Sequence, residues 1–104
     1  MTYRVTLSPG ARTQLEEIVV WLLENRGDAA TVSFSDDYEK CVETLEEMPL
    51  FRPLHDTLPY RHAAVGRYGH TLWYQVVDDQ VFIRGFAHAR MSLSTIRERM
   101  DDDG

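Results

Sequence analysis

Residues 60–90, YRHAAVGRYGHTLWYQVVDDQVFIRGFAHAR, decide the fold of this chain. The stretch predicts three short strands, because it is rich in aromatic and β-branched residues and its apolar positions alternate. In the middle strand, one face is better suited to a core, and it carries Tyr68, His70, Leu72, Tyr74 and Val76. Asp78-Asp79 then predicts a two-residue hairpin turn, whose type the sequence leaves open.

The third strand, Val81 to Ala87, is apolar on both faces, which is typical of a strand in the middle of a sheet. Strict alternation puts Val81 and Ile83 on one face with Ala87, and puts Arg84 and Phe86 on the other face. The arrangement therefore predicts a central strand with one arginine among aromatic neighbours.

Upstream of this stretch, the sequence predicts a strand followed by two helices. Residues 2–7 alternate between polar and apolar, and Ser8-Pro9 is a favourable cap and first residue for a helix. Gly27 ends the first helix and Pro49 ends the second. The two apolar stripes are Leu15, Ile18, Val19, Leu22 and Leu23 in the first helix, and Ala30, Phe34, Tyr38, Cys41, Val42, Leu45 and Met48 in the second.

These elements together predict an α+β fold of the order β-α-α-β-β-β with a short C-terminal helix after Ser92. A short connection between the helices requires an antiparallel hairpin, which is expected to cover one face of a mostly antiparallel sheet. The opposite face is expected to be uncovered. Residues 1–100 are predicted to form a single domain, and the acidic tail 101–104 is predicted to be disordered.

Composition and charge limit the possible functions. The 104 residues carry a net charge of −6, which argues against broad, non-specific binding to nucleic acids. The lone Cys41 cannot form an internal disulfide, and the histidines are not spaced as a metal motif, so neither a metal nor a cofactor is expected. No apolar run is long enough to span a membrane, and a cytoplasmic protein is expected.

The charge is unevenly distributed along the chain. Residues 1–60 hold five basic and eleven acidic side chains, whereas residues 61–100 hold six arginines and three acidic side chains. An arginine-lined sheet face can bind an anion or an acidic partner. The residues expected to meet a ligand or partner on the uncovered face are Arg61, Thr71 and Trp73, with Arg84, His88 and Arg90 as further candidates. Arg84 is equally compatible with the edge of the core.

Several parts of the sequence resemble one known family. They are the Ser8-Pro9-x-Ala11 helix start, the Met48-Pro49 helix stop and, above all, VGRYGHTLWYQVVDDQVFIRGFAHAR at residues 65–90. This progression resembles the ParE branch of the RelE/ParE toxin superfamily, and the resemblance covers most of residues 2–92.

The resemblance implies the toxin of a type II toxin–antitoxin pair. An antitoxin, ParD-like or similar, would wrap the helical hairpin and the sheet, so that an oligomer with the antitoxin is expected. The expected contacts are Leu22 and Tyr38 on the hairpin and Thr71, Trp73 and Arg84 on the sheet. ParE-like members poison DNA gyrase, whereas RelE-like members cut mRNA on the ribosome, and fold alone does not choose between them.

The nuclease alternative requires particular catalytic side chains, and the sequence shows which of them are present. RNA cleavage requires a base, an acid and cations near the phosphate, for which His88, Arg61 and Arg90 are the candidates. Ala63 and Thr71, however, stand where the resemblance would place two further cations. The sequence thus favours a non-enzymatic gyrase inhibitor, with an mRNA endoribonuclease or a degenerate, non-toxic antitoxin-binding member as alternatives. His88 is also compatible with local hydrogen bonding at the strand end.

Overall fold

A computed structural model describes residues 2–101. The elements follow the predicted order, with a third helix after the last strand. Their bounds are β1 Arg4–Leu7, α1 Pro9–Asn25, α2 Asp28–Glu47, β2 Arg61–Val65, β3 His70–Val77, β4 Gln80–His88 and α3 Leu93–Asp101. The predicted α+β class is confirmed.

The four strands form one mixed sheet in the order β1-β4-β3-β2. β2, β3 and β4 are antiparallel neighbours, as predicted, whereas β1 runs parallel to β4. The turn between β3 and β4 is Asp78-Asp79, and Asp78 has a φ of +55°. Aspartate tolerates this left-handed conformation better than most residues, which explains why an Asp-Asp pair suffices for a two-residue turn.

A β-bulge interrupts the ladder between β3 and β4. Trp73 is opposite Gly85, but the next residue, Tyr74, is opposite Ile83, so that Arg84 is the extra residue on β4. A bulge changes which face the following side chains occupy. Phe86 is therefore buried in the same cluster as Ile83, and the prediction from strict alternation that it lies on the opposite face is wrong.

β1 pairs only with the first part of β4. Beyond β1, the backbone groups of β4 on this edge form hydrogen bonds with Ser8 and with two side chains. Ser8 donates from its amide to the Ile83 carbonyl at 3.0 Å and from its hydroxyl to the Arg84 carbonyl at 3.2 Å. The Phe86 amide donates to Gln14 Oε1 at 2.7 Å, and its carbonyl accepts from Arg99 Nε at 3.0 Å. Such bonds prevent another strand from pairing with this edge.

The helical hairpin covers one face of the sheet. α1 begins as predicted, because Ser8 Oγ accepts a hydrogen bond from the Ala11 amide at 3.1 Å and Pro9 occupies the first turn. Gly27, with a φ of +90°, then permits the tight connection to α2. The fully buried side chains of this first core include Leu22, Phe34, Leu45, Leu72, Tyr74, Ile83 and Phe86.

The opposite face of the sheet is also covered, which corrects the expectation that it is open. α3 packs on it and forms a second core with Leu58, Tyr60, Trp73, Ala87, Ile96 and Met100. The Tyr60 hydroxyl donates to Asp101 Oδ1 at 2.5 Å. Burial, followed by this hydrogen bond, raises the pKa of Tyr60 to about 12. α3 is thus a structural layer of the domain.

The predicted disordered tail began at Asp101, but that residue belongs to α3. Residues 102–104 lie outside the described part of the chain. The C-terminal limit of the folded domain is therefore at least one residue later than predicted.

Replacing Met100 with alanine tests the contribution of α3. Met100 is fully buried, so we expect Met100→Ala to lower the free energy of unfolding by about 2–4 kcal/mol, through lost burial and a residual cavity. Leu93→Ala, at the exposed start of the same helix, is the matched control and should cost less than about 1 kcal/mol. Urea titration followed by tryptophan fluorescence measures both, and equal costs would show that α3 does not cover the sheet.

Candidate functional site

The end of β4 positions His88, the residue considered above as an acid or base. Its Nε2 lies 3.1 Å from the Tyr68 carbonyl oxygen, and its Nδ1 lies 3.2 Å from the Arg90 amide nitrogen. Because an amide can only donate, Nδ1 must be the unprotonated nitrogen, and Nε2 donates to Tyr68. Both ring nitrogens are therefore engaged by the backbone, and His88 holds the end of the strand in place.

His70 begins β3 directly beside His88. The two residues are paired in the sheet, and their ring centroids are 5.3 Å apart. His70 is 9% exposed, and among the residues described its Nδ1 is buried without a hydrogen-bond partner. Burial, and secondarily His88, lowers the pKa of His70, so the fold favours the neutral imidazole.

A cleft of about 440 Å³ lies beside these two rings, between α1, the end of β4 and α3. The titratable and charged side chains that line it are Glu17, His70, His88, Arg90 and Arg99. Arg99 already uses its Nε to bind the strand, and Glu17 offsets part of the positive charge. The cleft thus holds two guanidinium groups against one carboxylate, which is a small excess of positive charge.

A second pair of histidines lies on the other side of the sheet, against Trp73. His62 stacks on the indole with centroids 4.5 Å apart, and His55 lies 5.4 Å from the indole and 5.9 Å from His62. His55 Nδ1 accepts from the amides of Thr57 at 3.1 Å and Leu58 at 3.2 Å, so this nitrogen is also unprotonated. Burial, followed by His55 and Arg52, lowers the pKa of His62.

Trp73 and Thr71 were predicted to meet a partner. Trp73 is only 4% exposed, and its Nε1 donates to Thr71 Oγ1 at 2.9 Å. Thr71 Oγ1 in turn donates to the Ala87 carbonyl at 3.4 Å. Because α3 covers this face, the assignment of Trp73 as a partner contact is corrected to a core residue, and Thr71 supports it.

Of the two hairpin residues predicted to meet a partner, one is buried and the other is partly accessible. Leu22 is fully buried, so its assignment as a partner contact is likewise corrected to the core. Tyr38 is half-buried and its ring lies 6.0 Å from that of Phe86, where burial raises its pKa. Arg84 is half-buried at the bulge. Tyr38 and Arg84 keep some accessible surface, so their proposed contact with a partner is still a prediction.

Four exposed apolar side chains on the hairpin were not predicted as contacts. Val20, Trp21 and Leu23 on α1 are 53%, 46% and 50% exposed, and Val32 on α2 is 60% exposed. Val20, Trp21 and Val32 lie outside the predicted apolar stripes, and apolar residues outside the core-facing stripe of a helix were the signal in the sequence. Leu23 was assigned to the stripe, and its 50% exposure corrects that assignment. A partner can therefore reach these four apolar side chains.

Metal binding and membrane insertion can be assessed for residues 2–101. Within this range, no group of three or more His, Cys, Asp or Glu side chains is arranged to hold a metal ion. None of its helices combines the length and the apolar character needed to cross a bilayer.

The family model described as the ParE toxin of type II toxin–antitoxin system, parDE, matches residues 5–93. The chain belongs to the ParE toxin family. It is thus the toxin component of a type II toxin–antitoxin pair, which agrees with the resemblance drawn from residues 65–90.

A solved structure also resembles this ParE-family chain. The chromosomal ParDE TA system from P. aeruginosa aligns with a TM-score of 0.72 and 12% sequence identity, over 86% of this chain and 98% of that chain. At this identity the similarity establishes the fold alone. No curated protein sequence matches the chain.

In this ParE-family toxin, the three residues considered for RNA cleavage are not brought together. His88 pairs with His70 at one end of the sheet, whereas Arg61 pairs with Tyr74, four residues further along β3. At about 3.3 Å per residue, this offset alone is about 13 Å. Arg61 also donates from its guanidinium to the Arg52 carbonyl. Of the three residues, only His88 and Arg90 are neighbours.

We expect this toxin to lose stability in mild acid, because the folded state favours the neutral form of His70. His70 has an ordinary pKa of 6.5 when unfolded and a lower one when folded, so below about pH 6.5 the unfolded chain binds more protons. We expect the free energy of unfolding to be constant above that pH and to fall below it. The slope contributed by this residue is at most about 1.4 kcal/mol per pH unit. Urea titrations from pH 7.5 to 5.5 measure it.

Two variants separate His70 from other titrating groups. His70→Phe should reduce the slope, because it removes the buried imidazole. Gln75→Ala, a non-titrating change on the same strand, should leave the slope unaltered. An unchanged slope in His70→Phe would contradict this account of the buried ring.

Proposed function

We propose that this ParE-family chain inhibits DNA gyrase and that a cognate, ParD-like antitoxin neutralises it. The observation that carries the proposal is the family match over residues 5–93, because gyrase is the target implied by a resemblance to ParE-like toxins. A target that acts on chromosomal or plasmid DNA also implies that the toxin works in the cytoplasm.

The geometry of the candidate catalytic residues favours inhibition by binding over RNA cleavage. A general acid or base needs a ring nitrogen within reach of the substrate, but both nitrogens of His88 bind the backbone. The cations are dispersed as well, since Arg61 pairs with Tyr74, four residues along β3 from His70, whereas Arg90 follows the end of β4 beside His70. With a net charge of −6, the chain also lacks the electrostatic attraction that ribosomal RNA offers to a basic protein.

The hairpin supplies an accessible apolar surface for the antitoxin. Val20, Trp21 and Leu23 on α1 and Val32 on α2 each expose about half of a large apolar side chain. Exposed apolar groups of this kind favour a protein partner, since their burial on association is favourable by about 25 cal/mol per Å². We therefore propose that the antitoxin contacts these residues, in place of the buried Leu22 and Trp73.

Purified protein tests the proposed target. Incubated with gyrase, ATP and supercoiled plasmid, the toxin is expected to increase the fraction of DNA that gyrase holds cleaved, as measured by gel electrophoresis after detergent and protease treatment. Prior addition of the antitoxin should abolish the effect. The same toxin preparation should leave mRNA intact in a reconstituted translation system.

Each alternative function has its own outcome in these assays. Cutting of mRNA on ribosomes that disappears in His88→Ala would establish the nuclease instead of the gyrase inhibitor. A toxin that binds its antitoxin but affects neither gyrase nor mRNA would be the degenerate, non-toxic member.

A further inference from the structure

Two arginines in the cleft between α1, the end of β4 and α3 keep unused hydrogen-bond donors. Arg90 is exposed, and within residues 2–101 its guanidinium forms no ion pair or hydrogen bond. Arg99 is half-buried and uses only its Nε, which donates to the Phe86 carbonyl. Glu17 is the acidic residue in the lining, and it pairs with neither arginine in the described part of the chain. Both guanidinium groups can therefore donate to a ligand in the cleft.

His70 supplies a further donor to the same cleft. It lines the cleft although it is only 9% exposed, and its buried Nδ1 has no partner among the described residues. Its Nε2 also lacks a partner within residues 2–101, but this atom is not buried. A buried N–H without an acceptor is rarer than a buried acceptor without a donor, so we assign the proton of the neutral ring to Nε2. The Nε2–H group is thus left for water or a ligand to satisfy.

Apolar side chains form another part of the cleft wall. Ile18 and Trp21 line the cleft from α1, and Met91 lines it from the segment that precedes α3. Trp21 is 46% exposed, so a ligand can reach its indole. The cleft volume of about 440 Å³ lies within the range of about 300–1,000 Å³ that is typical of sites for small organic molecules. The cleft therefore combines apolar walls with a few polar donors, as such sites do.

The donors determine which chemical group the cleft can hold. Guanidinium groups and an imidazole N–H donate hydrogen bonds and accept none, so the polar end of the ligand must be an acceptor-rich anion. Arginine binds carboxylate and phosphate oxygens through paired N–H groups. The donors come from three places, since His70 lies on β3, Arg90 follows β4 and Arg99 lies on α3. This arrangement fits the three terminal oxygens of a phosphate monoester better than a planar carboxylate.

We propose that this cleft binds a phosphate monoester with an apolar or aromatic body. Arg90 and Arg99 bind the phosphate oxygens, and His70 Nε2 donates to the same group. The body of the ligand packs against Trp21, while Glu17 opposes the negative charge and limits the affinity. The inference is independent of the proposed action on gyrase. Because Trp21 is also proposed to meet the antitoxin, the free toxin is the species to test.

Titration of the free toxin with phenyl phosphate, followed by NMR of its side chains, tests the site directly. The ring resonances of His70 and the guanidinium resonances of Arg90 should shift saturably in the millimolar range. Phenyl phosphate should bind at least about threefold more tightly than inorganic phosphate, because only the ester reaches the apolar wall. The absence of a saturable shift at His70 would overturn the inference. Equal affinity for the two phosphates would overturn the assignment of a monoester.

Substitutions with opposite expected effects separate ligand binding from a loss of folding. Arg90→Gln removes one cation and should weaken the binding of phenyl phosphate about fivefold or more. Glu17→Gln removes the opposing carboxylate and should strengthen binding about threefold, an effect that a destabilised protein would not produce. The matched controls are Arg67→Gln and Glu16→Gln, exposed residues outside the cleft, which should change the affinity less than about twofold.

The remaining outcomes also decide the question. Wild-type affinity in both Arg90→Gln and Glu17→Gln would overturn the placement of the site in this cleft. Equal weakening in Arg67→Gln and Arg90→Gln would show an effect of net charge alone and would overturn it as well. Each of these results leaves the proposed action on gyrase standing, because none of the titrations contains gyrase or DNA.

Discussion

The bulge at Arg84 is the local constraint on which both cores depend. It lies in β4, the strand that pairs with β1 on one side and with β3 on the other. By adding one residue, it directs Ile83 and Phe86 to the same side of the sheet, under the helical hairpin. Ala87 then faces α3 and completes the second core with Trp73 and Met100. A single backbone irregularity thus allows one strand to serve two helical layers.

Much of this fold follows from the sequence, because its signals are local. Alternation predicted the strands of residues 60–90, helical spacing predicted the hairpin, and Asp78-Asp79 predicted the turn. The bulge was not predictable in this way, since an inserted residue is decided by how two strands and two helical layers fit together. The burial of Trp73 under α3 was missed for a similar reason: the terminal helix shows its role only when it is docked on the sheet.

In the candidate site too, the sequence identified residues but not their protonation or burial in the folded protein. The sequence identified His88 as a possible acid or base, but its tautomer depends on the Tyr68 carbonyl and the Arg90 amide, which folding brings to it. Likewise, Leu22 lies in the apolar stripe but is fully buried, and the exposed neighbours Trp21 and Leu23 form the accessible surface. The residues on which the family resemblance rests therefore include several with a structural role.

We propose that this toxin acts in cells through gyrase and that its antitoxin cancels the effect. The most direct measurement is the recovery of DNA covalently attached to gyrase from bacteria that express the chain with and without the antitoxin. The account predicts growth arrest with a rise in gyrase-linked DNA, both reversed by the antitoxin. Growth arrest with no rise in gyrase-linked DNA and with cleaved mRNA on ribosomes would contradict it.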